Sequence, residues 1–349
     1  MNQRTEVPGH EASRVSKTVE IPSRQLSGAK AAVVNFLSKY ALVAGLVGLT
    51  LYFAISPQTS ETFSSWTNVQ TIVASESVVG IVALAALVPL VAFRFDLSLG
   101  ANVTVSAIAT AHAVANWEVP TAVGVIIGIS TGALIGLVNG LLVSLFQANS
   151  LVITLGTATL LSGLSALFSG YDIILGVSDS MTDFGATSFL GIPKPAWLLL
   201  ICVLAVTVLL RYTVVGRQFS LIGSNEKAAK LVGVPVSGRV AFSFLIAGAL
   251  AGVAAVLLVC RTGSASTGIG EGFMLPALAA VFLGSTTIKP GRFTVAGAIV
   301  GVFFVAVAVN GLTLAGVDDW VEPTFTGAVV VVAVALSAVL MARSRGARL

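Results

Sequence analysis

From Tyr40 to Met341 the chain alternates long apolar runs with short polar connections. A run of about 20 apolar residues is what a hydrocarbon core roughly 30 Å thick requires of a helix. The pattern predicts ten membrane spans, near 40–56, 70–93, 98–115, 120–146, 150–169, 196–212, 240–260, 273–286, 293–315 and 324–342. Pro276 interrupts the eighth, which is expected to be short or re-entrant. An even number of spans returns both termini to one face. The predicted fold class is therefore all-α, a polytopic transmembrane helical bundle.

Residues 1–39 break this pattern, with six Lys/Arg and three Glu among scattered apolar residues. Such a segment buries too little surface to fold alone. The expected organisation is a disordered cytoplasmic tail over 1–39, with room for an interfacial helix near Ala29–Leu37. A membrane domain follows over 40–342, carrying a polar loop at 213–239, and a basic tail closes the chain over 343–349. The competing reading of the first run is a secretory signal cleaved near Ala54-Ile55-Ser56. The polar lead is too long for an ordinary n-region, so the run is read as a retained anchor.

Composition agrees with the pattern. Of 349 residues, 56% are hydrophobic and only 10% charged, against about 25% charged in soluble domains. Cys202 and Cys260 sit in apolar runs and read as core packing. His10 and His112 are the whole histidine supply, so no metal site, catalytic residue or cofactor is expected in this chain. The net charge of +4 reflects topology and gives no reason to invoke nucleic acid. With the N-terminus inside, 17 of the 19 Lys/Arg fall on cytoplasmic segments, Lys194 and Arg261 excepted. One span more or fewer would send the basic C-terminal tail, or the loop around Lys227, to the wrong face.

Within the fourth span, Gly124, Gly128, Gly132, Gly136 and Gly140 recur every four residues and form a smooth ridge for close helix packing. The pair Gly132/Gly136 is echoed by Gly297/Gly301 in the ninth span, and Val138-Asn139-Gly140-Leu141 by Val309-Asn310-Gly311-Leu312. Those spans run in opposite directions, as an inverted structural repeat would have them.

Polar groups inside a bilayer are costly and are functional candidates for that reason. Asn102, Asn139, Thr154 and Asn310, with Thr104, Thr157 and Thr159, are candidates to line a passage for a hydroxylated solute; the bland alternative is that they link helices. Asp96 beside Arg94 is expected to form a local ion pair at the inner end of the second span. An ion- or proton-coupled carrier would need a buried carboxylate, and Glu76, Asp96 and Glu271 all read as lying near membrane edges. No constriction for a channel is recognisable, and His112 has no nucleophile for an intramembrane enzyme.

The longest internal polar loop predicts one short helix. Asn225 suits the N-cap, Glu226 the positive first turn, Lys230 the negative end, Gly233 a left-handed C′ position, and Pro235 stops continuation. Ala228 and Ala229 are expected to be exposed, letting a partner approach closely. Gly216-Arg217 followed by Gly223-Ser224-Asn225-Glu226-Lys227-Ala228-Ala229-Lys230-Leu231-Val232-Gly233-Val234 resembles the cytoplasmic loop of permease subunits from ribose-type ABC importers, the family shared with branched-chain amino acid permeases. Phe63 with Thr67-Asn68, Phe95-Asp96-Leu97-Ser98-Leu99-Gly100 and Gly136 through Val143 resemble three further motifs of that family, in its order. Leu151, Ser162 and Pro276 depart from its pattern, the last by replacing an acidic residue.

The resemblance implies an ABC-importer permease architecture in the inner membrane with both termini cytoplasmic. It implies a second permease chain, an extracytoplasmic solute-binding protein, and a cytoplasmic ATPase subunit that holds ATP and Mg and docks on Asn225, Glu226, Ala228, Ala229 and Gly233. The chain has no Gly-Lys dipeptide from which a P-loop could be built, so its energy must come from elsewhere. The expected cargo is a pentose or another monosaccharide, with polyols and branched-chain amino acids as alternatives.

Overall fold

The computed structural model describes residues 28–318 and 320–346. The tail expected over 1–39 thus lies outside the described residues as far as 27, as do residues 347–349. The chain divides into two units, Met1–Phe36 and Leu37–Leu349, and the described part of the first is helical. The first helix begins at Gly28, within the stretch where the sequence left room for an interfacial helix over Ala29–Leu37, and the Ala/Val/Leu-rich residues ahead of Tyr40 carry it on into the first predicted span.

The helices are α1 (Gly28–Ile55), α2 (Ser60–Phe63), α3 (Trp66–Val91), α4 (Leu99–Ala111), α5 (Thr121–Leu145), α6 (Ser150–Ser169) and α7 (Asp179–Ala186). After them come α8 (Lys194–Tyr212), α9 (Val214–Ser224), α10 (Glu226–Leu231), α11 (Val236–Thr262), α12 (Met274–Gly284), α13 (Val295–Leu314) and α14 (Val321–Gly346). Each predicted span meets one helix, but among the described residues seven helices are long and apolar enough to cross a membrane: α3, α5, α6, α8, α11, α13 and α14. Helix α4 has 13 residues, prolonged by a π-turn over His112–Asn116. Helix α12 has 11, preceded by a 3₁₀ turn at Glu271–Phe273. Pro276 is its third residue, so it opens this short helix rather than breaking a long one. In a first turn the missing N–H has no partner to lose.

Short extended pieces between spans escaped the hydropathy pattern. Ile174–Leu175 (β1) pairs antiparallel with Ser264–Ala265 (β4), and Ser188–Phe189 (β2) with Ile192–Pro193 (β3). Leu190 and Gly191 both have positive φ, the pair that a two-residue hairpin turn demands. Two-residue strands carry too few positions to show a period.

Helix α3 is the centre of the bundle, buried continuously from Ser77 to Leu90 and packed by α8, α11, α12 and α13. The glycine ridge of α5 has two partners. A Cβ at Gly132, Gly136 or Gly140 would strike the backbone of Gly248, Gly252, Phe244 or Ala241 in α11, while Gly124 and Gly128 face Val114 and Thr110. Gly248 and Gly252 return the fit from α11, so the two backbones meet with no side chain between them. The echoed Gly297 and Gly301 do the same against Gly284 and Ala280 of α12.

Candidate coupling site and polar core

The polar loop folds as two helices meeting at Asn225. Thr213 caps α9 by accepting from the Gly216 amide at 3.1 Å. A side chain at Gly216 would collide with the Leu209 and Leu210 backbone, and one at Gly223 with the Val91 carbonyl, so α9 lies flat beneath α8 and α3. Asn225 is extended, and its Oδ1 accepts from the Ala228 amide at 3.0 Å to start α10. Gly233 ends that helix in the left-handed conformation at φ 79°, as its place in the sequence predicts.

The exposure pattern of α10 corrects the expected one. Ala229 is fully buried and Ala228 half-buried. Ala229 is small so that α10 can seat on its own chain. Two positions further on, about 200° around the helix, Leu231 is 88% exposed, and Val232 beside it 70%.

Glu226 ties this corner to the bundle. Its Oε2 meets Arg94 Nη2 at 2.6 Å and its Oε1 meets Lys230 Nζ at 2.8 Å. The hydrogen bond from Lys230, with Arg94 adding to it against partial burial, holds the Glu226 carboxyl below the usual carboxylate range. The expected Arg94–Asp96 pair is not formed, because Arg94 reaches across 132 residues of sequence instead. Arg94, Ser144, Gln147, Glu226, Lys230 and Ser237 line a polar cleft of about 200 Å³ between α10 and the bundle.

Arg94 stands in the α3–α4 turn, which is laced to its neighbours. Asp96 Oδ1 accepts from Ser98 N at 3.0 Å and from Ser98 Oγ at 2.6 Å. Asn139 Nδ2 donates to Ser98 Oγ at 2.8 Å, and Thr157 Oγ1 donates to Asn139 Oδ1 at 2.7 Å. The Phe95 and Leu97 amides donate to Ser150 Oγ and Thr154 Oγ1 at 3.1 and 3.0 Å. Phe95 stacks on Phe282 with centroids 6.1 Å apart. Phe93 takes φ 57°, a conformation that a bulky residue adopts only when its surroundings enforce it.

The candidate passage residues have structural employment. Asn102 Nδ2 donates to the Gly132 carbonyl at 3.1 Å, and its Oδ1 accepts from Ser106 Oγ at 3.0 Å. Asn310 and Asn68 exchange side-chain bonds of 3.0 and 3.2 Å. Asn102, Asn139 and Thr154 are wholly buried, so these side chains join helices and face no open passage in this conformation. His112 Nε2 bonds the Phe168 carbonyl at 2.9 Å. Glu76 is half-buried, with Arg261 and Glu322 as its charged neighbours.

Sequence reasoning missed Arg94 as the partner of Glu226, and Leu231 and Val232 as the exposed apolar face. The only local signal for the latter was two large apolar residues ahead of a helix-ending glycine.

Residues 68–334 match the family described as branched-chain amino acid transport system / permease component. The autoinducer 2 import system permease protein LsrD of Photorhabdus temperata is 32% identical over 262 residues, 73% of this chain and 78% of its own. Its counterpart in Salmonella typhimurium is 34% identical over 262 residues, 73% of this chain and 79% of its own. No solved structure matches the chain. The matched range holds the α3–α4 turn, the glycine-packed α5–α11 pair and the α9–α10 corner. By that match and by its apolar helices, the chain belongs to the branched-chain amino acid transport system / permease family, as a multi-pass inner-membrane permease subunit of an ABC importer.

Proposed function

We propose that this chain moves a small neutral hydroxylated solute, a monosaccharide or autoinducer 2 itself, through a passage shared with a second permease chain. The names of the relatives support the solute class. A separate ATPase subunit, holding ATP and Mg, docks on the α9–α10 corner, and a binding protein delivers solute at the opposite face. The basic loops and both termini lie on the cytoplasmic side.

The observation that carries this reading is the Arg94–Glu226 bond, which fastens an exposed surface helix to the turn at the base of the central span α3, buried from Ser77 to Leu90. Leu231 and Val232 supply the apolar contact for the ATPase. Asn225 and Gly233 fix the ends of the helix, Glu226 anchors it, and Ala228 and Ala229 set its seat on the bundle. The test is uptake into proteoliposomes of labelled D-ribose, autoinducer 2, xylitol and L-leucine, with and without the ATPase subunit and binding protein. ATP-dependent uptake of ribose or autoinducer 2 is expected. Uptake driven by an ion gradient with no ATPase present would overturn the reading in favour of a carrier.

A further inference from the structure

Between β4 and the 3₁₀ turn at Glu271–Phe273 the chain leaves regular structure over residues 266–270 and dives into the bundle. Thr267 Oγ1 meets Ser169 Oγ at 2.7 Å, which puts the start of this segment level with the end of α6 remote from the α9–α10 corner. Three residues later, the Gly270 amide donates to Thr104 Oγ1 at 2.9 Å. A Cβ on Gly270 would strike Gly100 and Thr104, and one on Gly100 would strike Gly270 and Glu271, so the segment lies backbone to backbone on α4.

The depth of that contact follows from its neighbours. Asn102 is bonded to Gly132, the twelfth of the 25 residues of α5, and Ala101 and Val105 pack against Leu161 of α6. At 1.5 Å per residue, Leu161 lies about 12 Å below Ser169. Glu271 therefore lies level with the middle of the spans α5 and α6, not at the membrane edge where the sequence pattern puts it. Yet Glu271 and Gly272 are exposed on this chain.

Neither exposure is compatible with lipid. A carboxylate at such depth faces a bundle interior or water, and irregular backbone leading into a single 3₁₀ turn is tolerated there only inside protein or along an aqueous cavity. We infer that residues 268–272 line the aqueous passage, and that Glu271 places an anionic hydrogen-bond acceptor in it, favouring neutral hydroxylated solutes and repelling anionic ones such as their phosphate esters. The inference rests on the reading of the chain as an importer permease, and it names the residue that touches the solute's route.

The test uses the assembled complex in membrane vesicles and two methanethiosulfonate reagents, the anionic ethylsulfonate and the cationic ethyltrimethylammonium. Gly272→Cys is the main variant, since nothing lies within 4 Å of a Cβ there; Glu271→Cys is the second. Leu204→Cys, on the exposed apolar stripe of α8 with Ile201 and Val208, is the lipid-facing control. The unaltered chain, whose Cys202 and Cys260 are buried, is the blank. Because only thiolate reacts and it does not form in hydrocarbon, Gly272→Cys is expected to label at least about tenfold faster than Leu204→Cys. Adding Glu271→Gln to Gly272→Cys is expected to lower the cationic-to-anionic rate ratio about fivefold. Labelling of both cysteine variants no faster than the control would overturn the passage, and an unchanged ratio would overturn the role of the carboxylate. Failure of the importer reading would show separately, as absence of ATP-dependent uptake with these rates unaffected.

Discussion

Glu226 is held by two cations, and its folded pKa is lowered, so the sign of its pH response is fixed. Its stabilisation is complete above its unfolded pKa and is lost as pH falls through the lower folded value. The pair is partly exposed, at 28% and 34%, so its contribution to stability is below about 1 kcal/mol. Its larger effect is on coupling. Glu226→Lys, facing Arg94 and Lys230, is expected to leave membrane insertion intact and lower ATP-dependent uptake about tenfold or more, in the range of coupling energies between linked sites; side-by-side expression and vesicle uptake would check it. Ala229→Trp is a test of folding rather than of docking, because Ala229 is buried. Leu231→Asp is the docking test: loss of ATPase co-purification with unchanged thermal stability is expected, and co-purification at the normal level would refute the assigned face. The caps at Asn225 and Gly233 were legible in sequence because capping is decided within four residues. The Arg94–Glu226 bond was not, because a carboxylate two positions from an arginine looks like its partner until the chain is folded.

At the level of elements, the α5 ridge was legible as a four-residue period, but the period does not say what lies against it. The structure shows the receiving surface to be Gly248 and Gly252 of α11, flanked by Ala241 and Phe244. Gly136→Val would press a branched side chain into opposing backbone, which cannot move aside as a flexible side chain can. A loss of about 1–3 kcal/mol or more is expected, readable as a lowered melting midpoint in detergent. Gly156→Ala, on an α6 surface with nothing within 4 Å, is the contrasting case. It is expected to be neutral or stabilising by up to about 1 kcal/mol, since alanine favours the helix and meets no obstacle. Span counting succeeded for the same reason that the depth of Glu271 was missed. Hydropathy counts apolar residues along the chain, and a segment that turns inward without a helix offers no run to count.

Over the whole molecule, charge distribution and packing agree on one direction. Arg94 and the α9–α10 corner share one end of the bundle, which the proposed topology puts on the cytoplasmic side, and a fluorescent protein fused after Leu349 is expected to fluoresce in the cytoplasm; secretion of the fusion would break the ten-segment topology. The central helix adds a consequence of its own. Helix α3 is gripped from Ser77 to Leu90 by four neighbours, is joined just beyond one end to Glu226 through Arg94, and holds Asn310 through Asn68 at its other end. Its 26 residues span about 39 Å at 1.5 Å each, and the proline within it, Pro89, stands only two residues from the Arg94 end. A rod encased so tightly over that stretch has little freedom to bow there. A tug applied beneath the membrane would spend itself first on the last turn, and whatever passed that pivot would reach the far surface as travel of the whole shaft.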